Sequence, residues 1–322
     1  MTVKIPSPAM WVAGGAVALA GAALFNNFAA RSAEVEHPPI GTLIDVDGVQ
    51  VHYTDTGGDG DAIVLLHGNG SLVQDFACSG LIERLSATHR VIAFDRPGYG
   101  YTARPDDREW TAEAQATLIA AAARELGVER PVVVGHSWGT LAALAWALQA
   151  PGEVEALVLL SGYYYPTLRP DAISLNIADV PLLGQIFTSA VAPLQARITG
   201  PLGLKLIFSP AEVPQRFMDD MPFGLMVRPL QVRASAEDGA QMPANAKRLA
   251  ERYSELDLPI VAMWGDSDKL VMQDDQSVRL IAELPTASGT VTTGVGHMIH
   301  HSDPTGVAAA IRLVARRAEA LV

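Results

Sequence analysis

The run Val132-Val-Val-Gly-His-Ser-Trp-Gly-Thr140 constrains this chain more than any other stretch, because an apolar β-branched segment stops abruptly at a Gly-x-Ser-x-Gly pattern. The next residues, Leu141-Ala-Ala-Leu-Ala-Trp-Ala-Leu148, have the apolar, helix-forming composition of a buried helix. Strand, sharp turn and helix together expose a side chain at the end of a sheet, where a serine hydroxyl is open to a base. Ser137 is therefore a candidate nucleophile. Gly135 and Gly139 keep the turn free of Cβ clashes, and the helix N-terminus beneath the serine favours developing negative charge. Without its flanks the pentapeptide would mean only a Gly-bounded turn.

The surroundings extend that unit into a domain. Thr42–Val46 and Val49–Tyr53 alternate as half-buried strands around the hairpin signal Asp47-Gly48, which implies an antiparallel edge. Ile63-Val-Leu-Leu66 is apolar on both sides, as in a parallel sheet covered on both faces. Next come a helix over about 75–85, the strand 91–94, a helix over 111–126, the strand into Ser137 and the strand 154–160. This alternation predicts a parallel α/β sheet. From Tyr163 to about Arg252 the rhythm gives way to prolines, methionines and short amphipathic patterns, which predict a helical insertion. Sheet rhythm returns with the strand 260–264, a helix over 276–284, the strand 289–293 and a last helix over about 304–321. The expected division is a segment 1–36, a core of 41–162 with 253–322, and a helical cap of 163–252.

From Ala9 to Ala30 the chain runs for 22 residues without a charge, between Lys4 and Arg31. That length suits a single-pass transmembrane helix better than the short core of a signal peptide. The expectation is a membrane anchor with the catalytic domain outside the cytoplasm. A cleaved secretory leader is the alternative, since Ala18-Leu-Ala20 and Ala20-Gly-Ala22 are small-residue cleavage patterns. His37-Pro-Pro-Ile-Gly41 then reads as a stiff linker. A formal net charge of −12, with no basic stripe, argues against a nucleic-acid partner. The single cysteine, Cys78, excludes an internal disulfide framework and reads as a small core residue. No spacing of cysteine and histidine suggests structural zinc, and neither a metal nor an organic cofactor is expected.

A nucleophilic serine needs a base, an acid that orients the base, and donors for an oxyanion. After the strand ending at Trp264 comes Gly265-Asp-Ser-Asp268, and after the last strand comes Gly294-Val-Gly-His297. Both lie at strand C-terminal ends, the edge where open α/β sheets bind ligands. So do His67-Gly-Asn-Gly70 and Asp95-Arg-Pro-Gly-Tyr-Gly100.

With these five motifs in this order from His67 to His297, the chain resembles the α/β-hydrolase superfamily, in the branch with a helical cap after the sixth strand. The resemblance covers nearly everything from Gly41 onward. It implies Ser137 as nucleophile, His297 as general base and Asp268 as triad acid, with Asp266 as the alternative. It implies the backbone amides of Trp138 and Asn69 as oxyanion donors. His136 is expected to pack away from the site, and His300 and His301 to be structural or to line its mouth. Haloalkane dehalogenases and epoxide hydrolases resemble the chain around Asn69 and Trp138 but use aspartate, and an ether formed by serine would resist hydrolysis. The consecutive tyrosines Tyr163, Tyr164 and Tyr165 are expected to pack at the hinge. The expected function is a serine hydrolase acting on a small-molecule ester, lactone or thioester. A C–C bond hydrolase, an aminopeptidase and a non-catalytic ligand-binding protein are the alternatives.

Overall fold

The computed structural model describes residues 8–167 and 183–319. Eight strands form one sheet in the order β1-β2-β4-β3-β5-β6-β7-β8. The strands are β1 (Thr42–Val46), β2 (Val49–Asp55), β3 (Ala62–Leu66), β4 (Arg90–Phe94), β5 (Val132–His136), β6 (Ala156–Leu160), β7 (Ile260–Gly265) and β8 (Ala287–Thr292). The β1–β2 and β2–β4 pairs are antiparallel and the others parallel, in agreement with the expected mostly parallel sheet and antiparallel edge. Asp47 and Gly48 take positive φ of 51° and 78°, the backbone that a tight hairpin of this hand requires.

Helices cover both faces because the central strands are apolar on both. Val64, Leu66 and Val133 join a cluster with α4 (Ala112–Glu125) and α5 (Gly139–Gln149). Ile63, Leu65, Val132 and Val134 pack on the other side, against α3 (Leu81–Leu85) and the C-terminal helix Pro304–Glu319. The helix expected over 75–85 is two short ones, α2 (Gln74–Cys78) and α3, broken where Gly80 takes a φ of 75°. Thr111 caps α4, its side chain accepting a hydrogen bond from the Ala114 amide at 3.2 Å.

Between β6 and β7 the described chain is helical, chiefly α6 (Ala192–Phe208) and α7 (Pro229–Ala250). Residues 168–182 of the expected cap, and 320–322 at the end of the last helix, lie outside the described residues.

The N-terminal segment differs from its expectation. It is a helix, α1 (Pro8–Glu36), but among the described residues no helix is long and apolar enough to cross a membrane. Asn26 and Asn27 interrupt the apolar run, and residues 1–7 lie outside the description. The Asn26 side chain is buried and donates to the carbonyls of Ser189 and Ala190 at 2.9 and 3.1 Å. Ala30 and Ala33 are buried one and two turns further on, and Glu34 pairs with Arg228 at 2.8 Å. The second half of α1 is therefore a docked helix rather than the expected transmembrane anchor.

Candidate active site

Ser137 stands between β5 and α5 with a φ of 51°, a left-handed backbone that a residue with a Cβ rarely adopts. Its neighbours explain the two glycines. A Cβ on Gly139 would lie 2.2 Å from the Leu66 carbonyl oxygen, and one on Gly135 would lie 2.6 Å from that of Gly139. Close approach of backbones, rather than a special φ, fixes both positions.

Ser137, His297, Trp138 and Asn69 line one cavity of about 180 Å³. The His297 Nδ1 atom lies 2.8 Å from Asp268 Oδ2. Asp268 also accepts from the amides of Leu270 and Val271 at 2.8 and 3.1 Å and from Gln273 Nε2 at 3.1 Å. Burial alone would raise the Asp268 pKa, but the His297 imidazole and these donors outweigh it and hold the carboxyl below its ordinary value. Asp266 is exposed, and its Oδ1 accepts from the Gly294 amide and the Ser267 hydroxyl. It serves as a loop cap, so of the two candidate acids only Asp268 meets the histidine. The His297 amide donates to the Ile207 carbonyl of α6 at 3.1 Å. Its carbonyl lies 3.2 Å from His136 Nε2, and His136 itself lines the cavity, its ring lying against Gly68, so it does not pack away from the site as expected.

The loop carrying Asn69 is held by residues that sequence reasoning did not single out. Arg96 is fully buried and donates to the carbonyls of His67 and Gly68 at 3.0 and 3.2 Å. Its guanidinium lies 4.2 Å from the Trp138 ring and pairs with Asp238 of α7 at 2.6 Å. Asp238 further accepts from Tyr99, Arg104 and Gln115, and its carbonyl accepts from Trp138 Nε1 at 2.9 Å. The Asn69 side chain bonds Tyr99 and the Ser235 carbonyl, so loop and insertion are tied together. His67 accepts from the Arg96 amide at Nε2 and donates through Nδ1 to the Gly68 carbonyl. That tautomer is neutral, and burial, with Arg96 nearby, lowers its pKa to about 4. The sequence signal was the Asp95-to-Gly100 motif at the catalytic edge, which gave Arg96 a place but no partner.

His300 and His301 do not line the mouth. Both side chains are buried and lie 3.2 and 2.6 Å from Asp75 Oδ1, forming a second carboxylate–imidazole cluster. Burial would raise the Asp75 pKa, but the two imidazoles hold it well below the carboxylate range. Tyr163, Tyr164 and Tyr165 are buried and none lines the cavity. Gln276 Oε1 accepts the amides of Tyr164 and Tyr165, and Tyr165 packs edge-on to Tyr253.

Comparison with known proteins agrees with this architecture. A 2-hydroxy-6-oxononadienedioate/2-hydroxy-6-oxononatrienedioate hydrolase of Pseudomonas putida is 24% identical over 80% of this chain and 88% of its own. The enol-lactonase of Burkholderia xenovorans superposes with a TM-score of 0.69 at 16% identity, over 85% of this chain and 99% of that one. A bacterial membrane phospholipase A superposes with a TM-score of 0.66 at 20% identity, over 96% of both chains. The family model of the alpha/beta hydrolase fold matches residues 61–304, and the chain belongs to that family.

Proposed function

We propose that the chain is a serine hydrolase of neutral carboxylic esters, working through an acyl-enzyme on Ser137. Its family and its hydrolase relatives make it a hydrolase; the bond it cleaves is the proposal. The observation that carries it is one cavity lined by a serine at a strained elbow and by an imidazole whose Nδ1 is bound to a buried carboxylate. With Nδ1 engaged, His297 Nε2 takes the Ser137 proton while Asp268 stabilises the imidazolium. The amides of Trp138 and Asn69 stabilise the oxyanion; that of Trp138, at the start of α5, has no carbonyl one turn earlier to serve. Collapse of the tetrahedral species expels the alcohol, protonated by His297. Water activated by the same base then releases the acid. The described helices of the insertion, 183–252, act as a cap that shapes the cavity.

The lining favours an ester over the dicarboxylate named for the Pseudomonas relative. No lysine or arginine is among the described lining residues, whereas Leu204, Ile207, Phe217, Met226 and Met242 are. A substrate carboxylate buried there would meet no lysine or arginine side chain, and a buried charge without a counter-charge is costly. About 180 Å³ compares with the roughly 150 Å³ that encloses one benzene, so a short acyl group fits. The test is labelling by a fluorophosphonate probe and turnover of p-nitrophenyl esters of increasing chain length, for wild type and Ser137→Ala. Labelling and turnover vanish in the variant, with its melting temperature kept. Retained turnover refutes the proposal.

A further inference from the structure

Beside the catalytic cavity, α2 and the short helix Ile299–Ser302 meet in a cluster that the hydrolase chemistry does not use. Asp75 comes from α2, and His300 and His301 from the other helix; Asp75 and His301 are 226 residues apart in the chain. None of the three side chains is more than 1% exposed. His301 Nε2 lies 2.6 Å from Asp75 Oδ1 and is hydrogen-bonded to it. His300 Nε2 lies 3.2 Å from the same oxygen but makes no hydrogen bond. Its Nδ1 has no partner either, and nor has Asp75 Oδ2.

Buried polar groups are ordinarily hydrogen-bonded, so three unpartnered atoms in one cluster point to a missing ligand. A neutral imidazole carries one proton and one lone pair. With the proton of His300 on Nε2, the Nδ1 lone pair is buried without a donor. With it on Nδ1, the Nε2 lone pair faces a carboxylate oxygen at 3.2 Å, and the two repel. A cation between them turns that repulsion into ligation.

The donor set identifies the cation. Asp75 Oδ1, His300 Nε2 and His301 Nε2 lie within 4.8 Å of one another. Two imidazole nitrogens and a carboxylate oxygen suit Zn²⁺, whereas Mg²⁺ and Ca²⁺ take oxygen ligands. Ligands bound to a tetrahedral zinc ion stand roughly 3.3 Å apart. The His300 separation already meets this, and the His301 pair opens by about 0.7 Å. Phe208 and Phe217 pack edge-on against His301, and Phe76 packs against His300. That apolar surround holds the rings and limits water at the site. Asp75 also lines the catalytic cavity, which gives an entry path for the ion and for a water as fourth ligand.

We propose that Asp75, His300 and His301 bind one Zn²⁺ ion, a structural staple that ties α2 to the helix following His297. The site does not involve Ser137 and stands apart from the hydrolase reading. The test uses the untagged full chain, freed of metal by a chelator, given Zn²⁺ and passed through gel filtration, with the metal counted by mass spectrometry. Wild type keeps close to one zinc per chain. Its melting temperature rises by about 5 °C when free zinc stands at about a hundred times its Kd, and the same concentration of Mg²⁺ leaves the melt unmoved. Co²⁺ in place of zinc shows the strong visible bands of a four-coordinate ion. His301→Gln keeps a donor for Asp75 and melts near metal-free wild type, but it loses both the retained zinc and the rise. Asp75→Asn binds zinc on the order of tenfold more weakly or worse. His37→Gln with His89→Gln, away from the cluster, binds as wild type does. The proposal fails if wild type retains no zinc, if bound Co²⁺ lacks those bands, if His301→Gln and Asp75→Asn retain zinc equally well, or if the His37 and His89 substitutions remove it.

Discussion

Asp238→Asn tests whether α7 holds the loop that carries Asn69. Asp238 is fully buried, with Oδ2 accepting from Arg96 at 2.6 Å and Tyr99 at 2.9 Å, and Oδ1 from Arg104 at 3.1 Å and Gln115 at 3.0 Å. Both oxygens face only donors. An asparagine keeps the volume but must turn an N–H towards one of these pairs, and it removes the charge opposite two buried guanidiniums. Breaking a buried ion pair costs about 3–5 kcal/mol. At roughly 2 °C per kcal/mol for a chain of this size, the melting temperature falls by about 6–10 °C. Glu83→Gln removes the exposed Arg216–Glu83 pair at 3.5 Å and should leave the melt unchanged. Because α7 also binds Trp138 Nε1 and the Asn69 side chain, kcat should fall more than KM changes in Asp238→Asn. Thermal melts followed by circular dichroism, with ester kinetics on the same samples, measure both effects. A variant that melts within a degree or two of wild type, as Glu83→Gln does, refutes the account.

The lowered His67 pKa makes stability depend on pH. Between the folded value of about 4 and an unfolded value of about 6.5, the unfolded chain binds more protons, so stability rises with pH through that window and is lost as pH falls. The contribution is at most about 3 kcal/mol, and urea titrations of His67→Asn at pH 4.5 and 7 should show a flatter dependence than wild type. An unchanged slope rejects the assignment. For the acid, Asp268→Asn keeps an oxygen for the Leu270 and Val271 amides by turning its amide nitrogen towards His297 Nδ1, which selects the wrong tautomer. The expected loss in kcat is on the order of 10³–10⁴, whereas Asp266→Asn, at an exposed loop cap, retains turnover. Inactivity confined to Asp266→Asn would reverse the two roles.

Much of this was legible in the sequence because punctuation at strand ends is local. A β-branched run stopping at glycine locates the Ser137 turn, and Gly265-to-Asp268 and Gly294-to-His297 follow their strands in the same way. Separating Asp266 from Asp268 needed the partner atoms, since both follow the same strand within three residues. Arg96 and Asp238 lie 142 residues apart, and no short-range period announces such a pair. Whether His300 and His301 are structural or line the mouth was undecided for the same reason, their partner Asp75 being more than two hundred residues upstream; they are structural. The transmembrane expectation for α1 rested on composition, and composition does not reveal that Asn26 has cap carbonyls waiting for it.

The bond from the His297 amide to the Ile207 carbonyl, and the packing of Gly296 so close to Ser209 that a Cβ would lie 2.2 Å from its carbonyl oxygen, bear on how this scaffold diversifies. An insertion that only covered a cavity could be exchanged between relatives as a unit, altering substrate range and leaving chemistry alone. Here the turn after α6 is also the seat of the loop that carries His297. Grafts that swap the insertion should therefore preserve 207–209 as part of the host, and libraries that vary acyl selectivity are better confined to Leu204, Phe217, Met226 and Met242.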